Sequence, residues 1–352
     1  MAAFDIKKLL QSVVTHGASD LHLVSRTEPQ IRLDGVLKPV NLPKLTGEDI
    51  EEMAYSLITE KQKQHFEEYD ELDFALLLPG IGRFRANYYR TLGDTAAAFR
   101  IIPIEVPSLD DLGAPEVYKK LIKREKGLIL VTGPTGSGKS TTLAAMLNEI
   151  NLHEQKHIVT VEDPVEFIHE NKKCVFSHRG VGEDTSSFAI ALKYAMRQDP
   201  DIILIGEMRD KETIEAALTA AETGHLVFGT LHTSSAPGTI NRIIDVFTGD
   251  EQPQIRAMIS SSLVAVIAQA LLPKLGGGRV AASEILVTNH AISNLIREDK
   301  VHQIYSQMQL GQEGTGMQTQ TQALLKFLRD GKISRDVAMQ YANKPSELAG
   351  KI

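Results

Sequence analysis

Cysteine is almost absent from this chain of 352 residues: Cys174 is the only one. A single thiol excludes an intramolecular disulfide and any zinc site built on several cysteines, and it fits a reducing cytoplasm. Cys174 itself reads as a half-buried small apolar residue. Long apolar runs are missing too. No stretch approaches the ~20 residues that span a bilayer, and the opening MAAFDIKKLL is amphipathic rather than a signal peptide. The expectation is no direct membrane insertion; if the protein works at a membrane, something else must hold it there. Long runs of Lys and Arg are lacking, and the formal net charge is -7. That argues against a surface whose main task is to grip nucleic acid, so no nucleic-acid partner is expected. Internal repeats and low-complexity tracts are also missing. What is present is ordinary for a globular protein, 42% hydrophobic and 24% charged. The length suggests two domains, each able to bury a core.

One stretch organises the rest: GLILVTGPTGSGKSTT, residues 127–142. Leu128, Ile129, Leu130 and Val131 form a continuous apolar run, as a central parallel strand should. Gly133, Pro134, Thr135, Gly136, Ser137, Gly138, Lys139 and Ser140 match G-x-x-x-x-G-K-[ST] at every fixed position, with Thr141 following. Glycines let successive backbone N–H groups curl around a phosphate, and the helix beginning near Gly138 points its positive end at it. Lys139 can reach the β and γ phosphates of ATP, and the Ser140 hydroxyl can ligate Mg²⁺. The alternative is a chance glycine loop, but an apolar strand precedes the motif and a helical run, 143–150, follows it.

Before this stretch the pattern is mixed. Residues 4–14 have helical spacing and 19–25 alternate as a strand. Asp34-Gly35 is a hairpin-turn signal. Residues 46–58 and 60–68 read as helices, and 72–78, 83–90 and 96–102 as strands. Residues 1–102 therefore read as a small α+β domain. The proline-rich stretch 103–115 reads as a linker. Residues 116–352 read as an α/β domain with a parallel sheet. Its tail reads as helical over 255–272, 289–296, 321–328 and 334–341.

Three later strands end in polar residues. One ends at Glu162-Asp163-Pro164 with Glu166 beyond it, one at Glu207, and one at His232. Ligands bind at the carboxyl ends of parallel strands, so Glu162, Asp163, Glu166, Glu207 and His232 should gather around the nucleotide phosphates. Glu207 can hold the Mg²⁺ shell or orient the attacking water. Glu166, in the loop after Pro164, is a candidate base. His232 is a candidate γ-phosphate sensor. Glu162 and Asp163 read equally well as residues that cap or pair at a surface. His225 lies seven residues before His232, about 20 Å away along an extended strand. It is carried as a binding candidate, although a structural or inter-subunit role fits its position at least as well.

In this order and spacing, GPTGSGKST, VTVEDPVEF, DPDIILIGEMRD and TAAETGHLVFGTLHTSSA resemble the Walker A, aspartate-box, Walker B and histidine-box segments of the secretion ATPase superfamily. ASDLHL, GRFRAN and GMQT extend the resemblance over nearly the whole chain. The match is nearest to the type IV pilus retraction ATPases. The chain is short, lacks the four-cysteine site of the assembly ATPases, and carries AISNLIRE at 291–298, similar to the retraction signature AIRNLIRE; Ser293 stands where that signature has arginine. The resemblance implies a RecA-like P-loop ATPase core with a smaller PAS-like N-terminal domain, nucleotide binding between them, and assembly as a homohexamer. It places the ring on the cytoplasmic side of the inner membrane, peripheral to it, against a pilus platform protein at the pilus base. Its implied work is pilus retraction, supporting twitching motility.

Arg83 and Arg85 share one face of their strand, where two guanidinium groups make an anion site. The resemblance implies that such arginines complete a nucleotide site, with a neighbouring subunit as one possibility; a solvated strand face is the alternative. Arg100 is a weaker candidate of the same kind. Other functions weighed are an assembly ATPase of the same superfamily, a small-molecule kinase, and a nucleotide-gated scaffold. The kinase would explain neither the first domain nor the histidine box, and the acids at 166 and 207 argue against the scaffold.

Overall fold

The computed structural model describes residues 5–33, 35–102, 105–310 and 312–352. Phe4 of the first expected helix, Asp34 of the expected hairpin turn and Pro103 of the expected linker lie outside these. The chain divides into two compact units, Met1–Glu105 and Val106–Ile352.

In the first unit α1 (Ile6–Thr15) is followed by β1 (Asp20–Leu23), β2 (Gln30–Leu33) and β3 (Val36–Pro39). Next come α2 (Gly47–Tyr55), α3 (Glu60–Tyr69), β4 (Glu71–Leu78), β5 (Gly82–Thr91) and β6 (Asp94–Ile102). The strands form one antiparallel sheet in the order β3-β2-β1-β6-β5-β4. Thr46 and Thr59 each close a capping box, which fixes where α2 and α3 begin. Alternation along β4 and β5 sends Leu72, Phe74, Leu76, Phe84, Ala86 and Tyr88 into the apolar core with α1 and α2. The Tyr88 hydroxyl donates to Ala54 O at 3.1 Å, satisfying its one polar atom.

The second unit begins with α4 (Val117–Leu121), β7 (Gly127–Thr132), α5 (Lys139–His153), β8 (His157–Glu162) and β9 (Val175–Gly180). It continues through α6 (Phe188–Ala195), β10 (Ile202–Ile205), α7 (Lys211–Glu222), β11 (Leu226–Leu231), α8 (Ala236–Ile244) and α9 (Gln252–Ser262). β12 (Leu263–Pro273) and β13 (Arg279–Val287) precede α10 (His290–Arg297), α11 (Ile304–Leu310), α12 (Gln312–Thr315), α13 (Gln320–Arg329), α14 (Arg335–Tyr341) and α15 (Pro345–Ala349). The sheet order is β13-β12-β7-β11-β10-β8-β9, with only β13 antiparallel to its neighbour. β7 is buried along its whole length. Leu128 and Leu130 pack on one face with α7–α10, and Ile129 and Val131 on the other with α4 and α5. This is the doubly covered parallel sheet that an uninterrupted apolar strand requires.

Three features differ from the sequence expectation. Residues 255–272 are not one helix: the helix stops at Ser262 and β12 runs through Leu263–Pro273 between β7 and β13. A strand buried on both faces shows no alternation, so its apolar run has no period to separate it from a buried helix. β9 and β13, partly polar edge strands, are also present. From Val106 onward the proline-rich stretch packs with the second unit, and Leu109 is buried in its core. Among the described residues no helix is long and apolar enough to cross a membrane.

Candidate active site

β7 ends at Thr132 and the chain turns through Gly133 to Gly138 into α5. Two glycines are required by this turn. Gly138 caps α5 at φ 87°, and a side chain on Gly133 (φ 144°) would overlap the carbonyl oxygen of Gln269. The Lys139 ammonium folds back over the loop, donating to Gly133 O at 2.9 Å and Pro134 O at 3.2 Å. Burial pushes its pKa below the usual lysine value, while the nearby carboxylates of Glu207 and Glu166 oppose that shift. The loop thus presents a desolvated cation at the N-terminus of a 15-residue helix, an environment that favours an anion.

Parallel pairing brings the other candidates to the same edge. β11 runs beside β7 with Leu231 opposite Thr132, and β10 beside β8 with Ile205 opposite Val161. Glu207, just beyond β10, and His232, just beyond β11, meet there, with His232 Nε2 2.9 Å from Glu207 Oε1. Arg209 Nε also donates to that oxygen. Glu162, at the end of β8, is buried, and its Oε2 accepts the backbone N–H of Glu166 at 3.1 Å. Glu162 therefore shapes the loop that carries Glu166. Asp163 contributes to the field on Arg209. A small cavity of about 30 Å³ lies among Ser140, Glu162, His169, Gly206 and Thr230.

His225 does not join this group. It precedes β11 at the opposite end of the sheet, its carbonyl accepts Gly127 N–H at 3.0 Å, and its ring sits 3.0 Å from Ala220 O. The strand between the two histidines is extended, so within this chain His225 braces the end of the sheet remote from the phosphate loop and does not reach the phosphates held there.

In the first unit Arg83 and Arg85 alternate with Phe84 on β5, as expected. Arg83 is buried. Arg85 stands opposite Arg100 in the register and pairs with Asp73, Nε to Oδ1 at 3.2 Å. Arg100 pairs with Asp20 at 2.8 Å. Burial tends to raise the Asp20 pKa, but the Ser19 hydroxyl and Arg100 overcome this and hold it below the usual value. On this face Arg85 and Arg100 are each held by an acid.

Sequence reasoning missed Gln269. From β12 its amide donates to Ser137 O at 2.7 Å and accepts from the Thr142 hydroxyl at 3.0 Å, tying the loop to α5. Reading 255–272 as a helix hid it. A chain of threonines was missed as well: buried Thr239 Oγ1 lies 3.4 Å from buried Thr132 and 2.6 Å from half-buried Thr233, linking the end of β7 to the segment after His232.

This geometry can bind a nucleoside triphosphate at the loop and place acids and an imidazole beyond its terminal phosphate. Comparison with known proteins agrees. The family model described as Type II/IV secretion system protein matches residues 2–314. The type IV pilus retraction ATPase PilT of Pseudomonas aeruginosa is 51% identical over 341 residues, 97% of this chain and 99% of that protein. A twitching motility protein of Neisseria gonorrhoeae is 47% identical over 99% of this chain and 93% of its own length. A crystal structure of the pilus retraction motor PilT with bound ADP superposes with a TM-score of 0.92 at 48% identity, covering 99% of each chain. The chain belongs to the Type II/IV secretion system protein family, and it is an ATPase with that family's P-loop fold.

Proposed function

We propose that this chain hydrolyses ATP to power the retraction of type IV pili, and so supports twitching motility, as a homohexameric ring on the cytoplasmic side of the inner membrane. The observation that carries the chemistry is the meeting of Lys139, Glu207 and His232 at one sheet edge, in a chain similar over 97% of its length to a pilus retraction ATPase. The loop N–H groups and Lys139 bind the phosphates. Glu166 takes the proton of the attacking water, Glu207 orients that water, and His232 senses the γ phosphate. Arg83 and Arg85 stabilise charge building on the transferring group.

Ser140 and Glu207 would hold Mg²⁺. Their hard oxygens suit it, and among the described residues no group of three or more His, Cys, Asp or Glu is placed to hold a metal ion. A magnesium site completed by substrate phosphates and water needs no such cluster. When bound there it supplies charge neutralisation at the β and γ phosphates.

A pilus platform protein at the inner membrane is the proposed partner; no nucleic acid is required. Deleting the gene and counting surface pili tests the reading. Excess pili with no twitching is the expected result, and loss of all pili would point instead to an assembly motor.

A further inference from the structure

The segment that carries His232 is held from behind by residues far away in the chain. Leu231 is fixed in β11, and α8 starts at Ala236 with Ser235 as its cap. Only residues 232–235 lie between, and the His232 side chain is 44% exposed. Glu284, on β13, is 2% exposed. A carboxylate is seldom buried so completely unless it is paired. Its Oε1 accepts the N–H of Ala236 at 2.8 Å, and the backbone of Gln320 donates to the same carboxylate. Ala236 and Gln320 are the first residues of α8 and α13, which have nine and ten residues. One buried anion therefore serves two helix N-termini, where negative charge is stabilised. Burial pushes its pKa up, and the two N–H donors and Lys344 oppose that shift.

A second clamp comes from the C-terminal helices. Asn343 Nδ2 donates to Ser234 O at 2.8 Å, and the Asn343 N–H donates to Gln320 Oε1 at 2.7 Å. Gln320 Nε2 in turn donates to Tyr341 O at 3.1 Å. Behind these contacts is a cavity of about 360 Å³ lined by Ser234, Glu284, Tyr305 and Lys344 among others. The segment after His232 is thus held by these hydrogen bonds together with the Thr233–Thr239 contact and the burial of Ala236 in the apolar core.

We propose that Glu284 and Asn343 are positioning residues for ATP hydrolysis, fixing residues 232–236 so that the His232 imidazole stays against Glu207. This rests on the role given to His232 above. A displacement of about 1 Å at a reacting group can cost ~100-fold in rate, and the two clamps act on backbone two and four residues from the imidazole. Neither touches the phosphate loop, so nucleotide binding is left to Lys139 and Gln269.

The experiment measures kcat, KM and the affinity for fluorescent ADP in the full-length protein. The variants are Glu284→Ala, Glu284→Gln, Asn343→Ala and His232→Ala, with the doubles Glu284→Ala/His232→Ala and Asn343→Ala/His232→Ala, each with enzyme in excess so that slow turnover is resolved. Glu284→Ala should lower kcat by ~10- to 100-fold with ADP affinity within about twofold of the parent. Glu284→Gln keeps an acceptor for Ala236 and should recover much of the loss. Asn343 is exposed, so Asn343→Ala tests the idea even if Glu284→Ala does not fold, with kcat expected to fall by roughly 3- to 10-fold. In the His232→Ala background neither change should lower kcat further. Parental turnover by His232→Ala would overturn the role of His232. If His232→Ala is impaired, an Asn343→Ala protein with parental kcat, or losses that multiply in the doubles, would overturn the positioning role alone.

Discussion

Gln269 lies 132 residues beyond Ser137 in the chain, yet the glycine loop leans on it. Both ends of its amide are used, and the side chain is 3% exposed. Gln269→Leu keeps the volume and removes both bonds, leaving the Ser137 carbonyl and the Thr142 hydroxyl without their partner. Buried polar groups left so cost about 1–3 kcal/mol each. The variant should therefore bind fluorescent ADP at least ~10-fold more weakly; parental affinity would show that the loop holds its shape without this brace. Glu207→Gln acts on a different step. It keeps the size of the side chain but removes the charge that faces Lys139 and His232. ATP binding should persist while hydrolysis slows by ~100-fold, the usual scale for losing one preorganised electrostatic group. Stopped-flow binding beside steady-state phosphate release separates the two effects, and an unslowed Glu207→Gln would remove Glu207 from the chemistry. The loop residues were legible because a phosphate cradle demands fixed glycine and lysine spacing. Gln269 was not, since nothing local in QALLP distinguishes a brace from a buried polar residue.

At the scale of elements, strands that end at the phosphate edge were legible from their polar last residues. Glu162, Glu207 and His232 follow apolar runs that parallel pairing aligns. β12 was not legible, because its run is apolar on both faces, and β9 was not, because it is polar. β9 nonetheless builds a feature of its own. His169 stacks on Phe176 with centroids 4.6 Å apart, and Phe176 stacks on His178. His169 is 7% exposed, and its Nδ1 is buried without a hydrogen-bond partner. Burial, with the nearby charge of His178 adding to it, pushes the His169 pKa from 6.5 down to about 4. Between those values the unfolded chain binds a proton that the folded chain does not. Stability therefore rises with pH through that window and is lost as pH falls from 6.5 towards 4. The loss between pH 7 and pH 5 should be about 2 kcal/mol from this one group. His169→Phe, which keeps the stack, should lose less by that amount in urea unfolding at the two pH values. Equal losses in parent and variant would mean that His169 does not carry the acid sensitivity.

For the whole molecule, the change from antiparallel strands to alternating strands and helices near residue 105 marks a change of architecture, and the apolar residues follow it. The first unit's core is drawn from residues 6–101, and the cores of the second unit from residues 109–348. Every brace described for the phosphate loop also lies in the second unit: Lys139 to Gly133 and Pro134, Gln269 to Ser137, and Thr142 to Gln269. A fragment of residues 106–352 should therefore fold and bind ADP within about threefold of the full chain, since the donors that hold phosphate are all present. Hydrolysis is expected to behave differently. If Arg83 and Arg85 stabilise the transferring phosphoryl group as proposed, the fragment lacks them. Its turnover should fall on the order of 100-fold or more, the low end of what an arginine supplies in such reactions. The full-length double variant Arg83→Ala/Arg85→Ala should reproduce that pattern, binding kept and turnover lost, because Arg85 is held by Asp73 on a sheet whose core does not use it. ADP titration and phosphate release on the parent, the fragment and the double variant give the answer. A fragment that folds and turns over ATP at the parental rate would take both arginines out of the reaction. A slow fragment beside a fully active double variant would assign the first unit's contribution to residues other than these two.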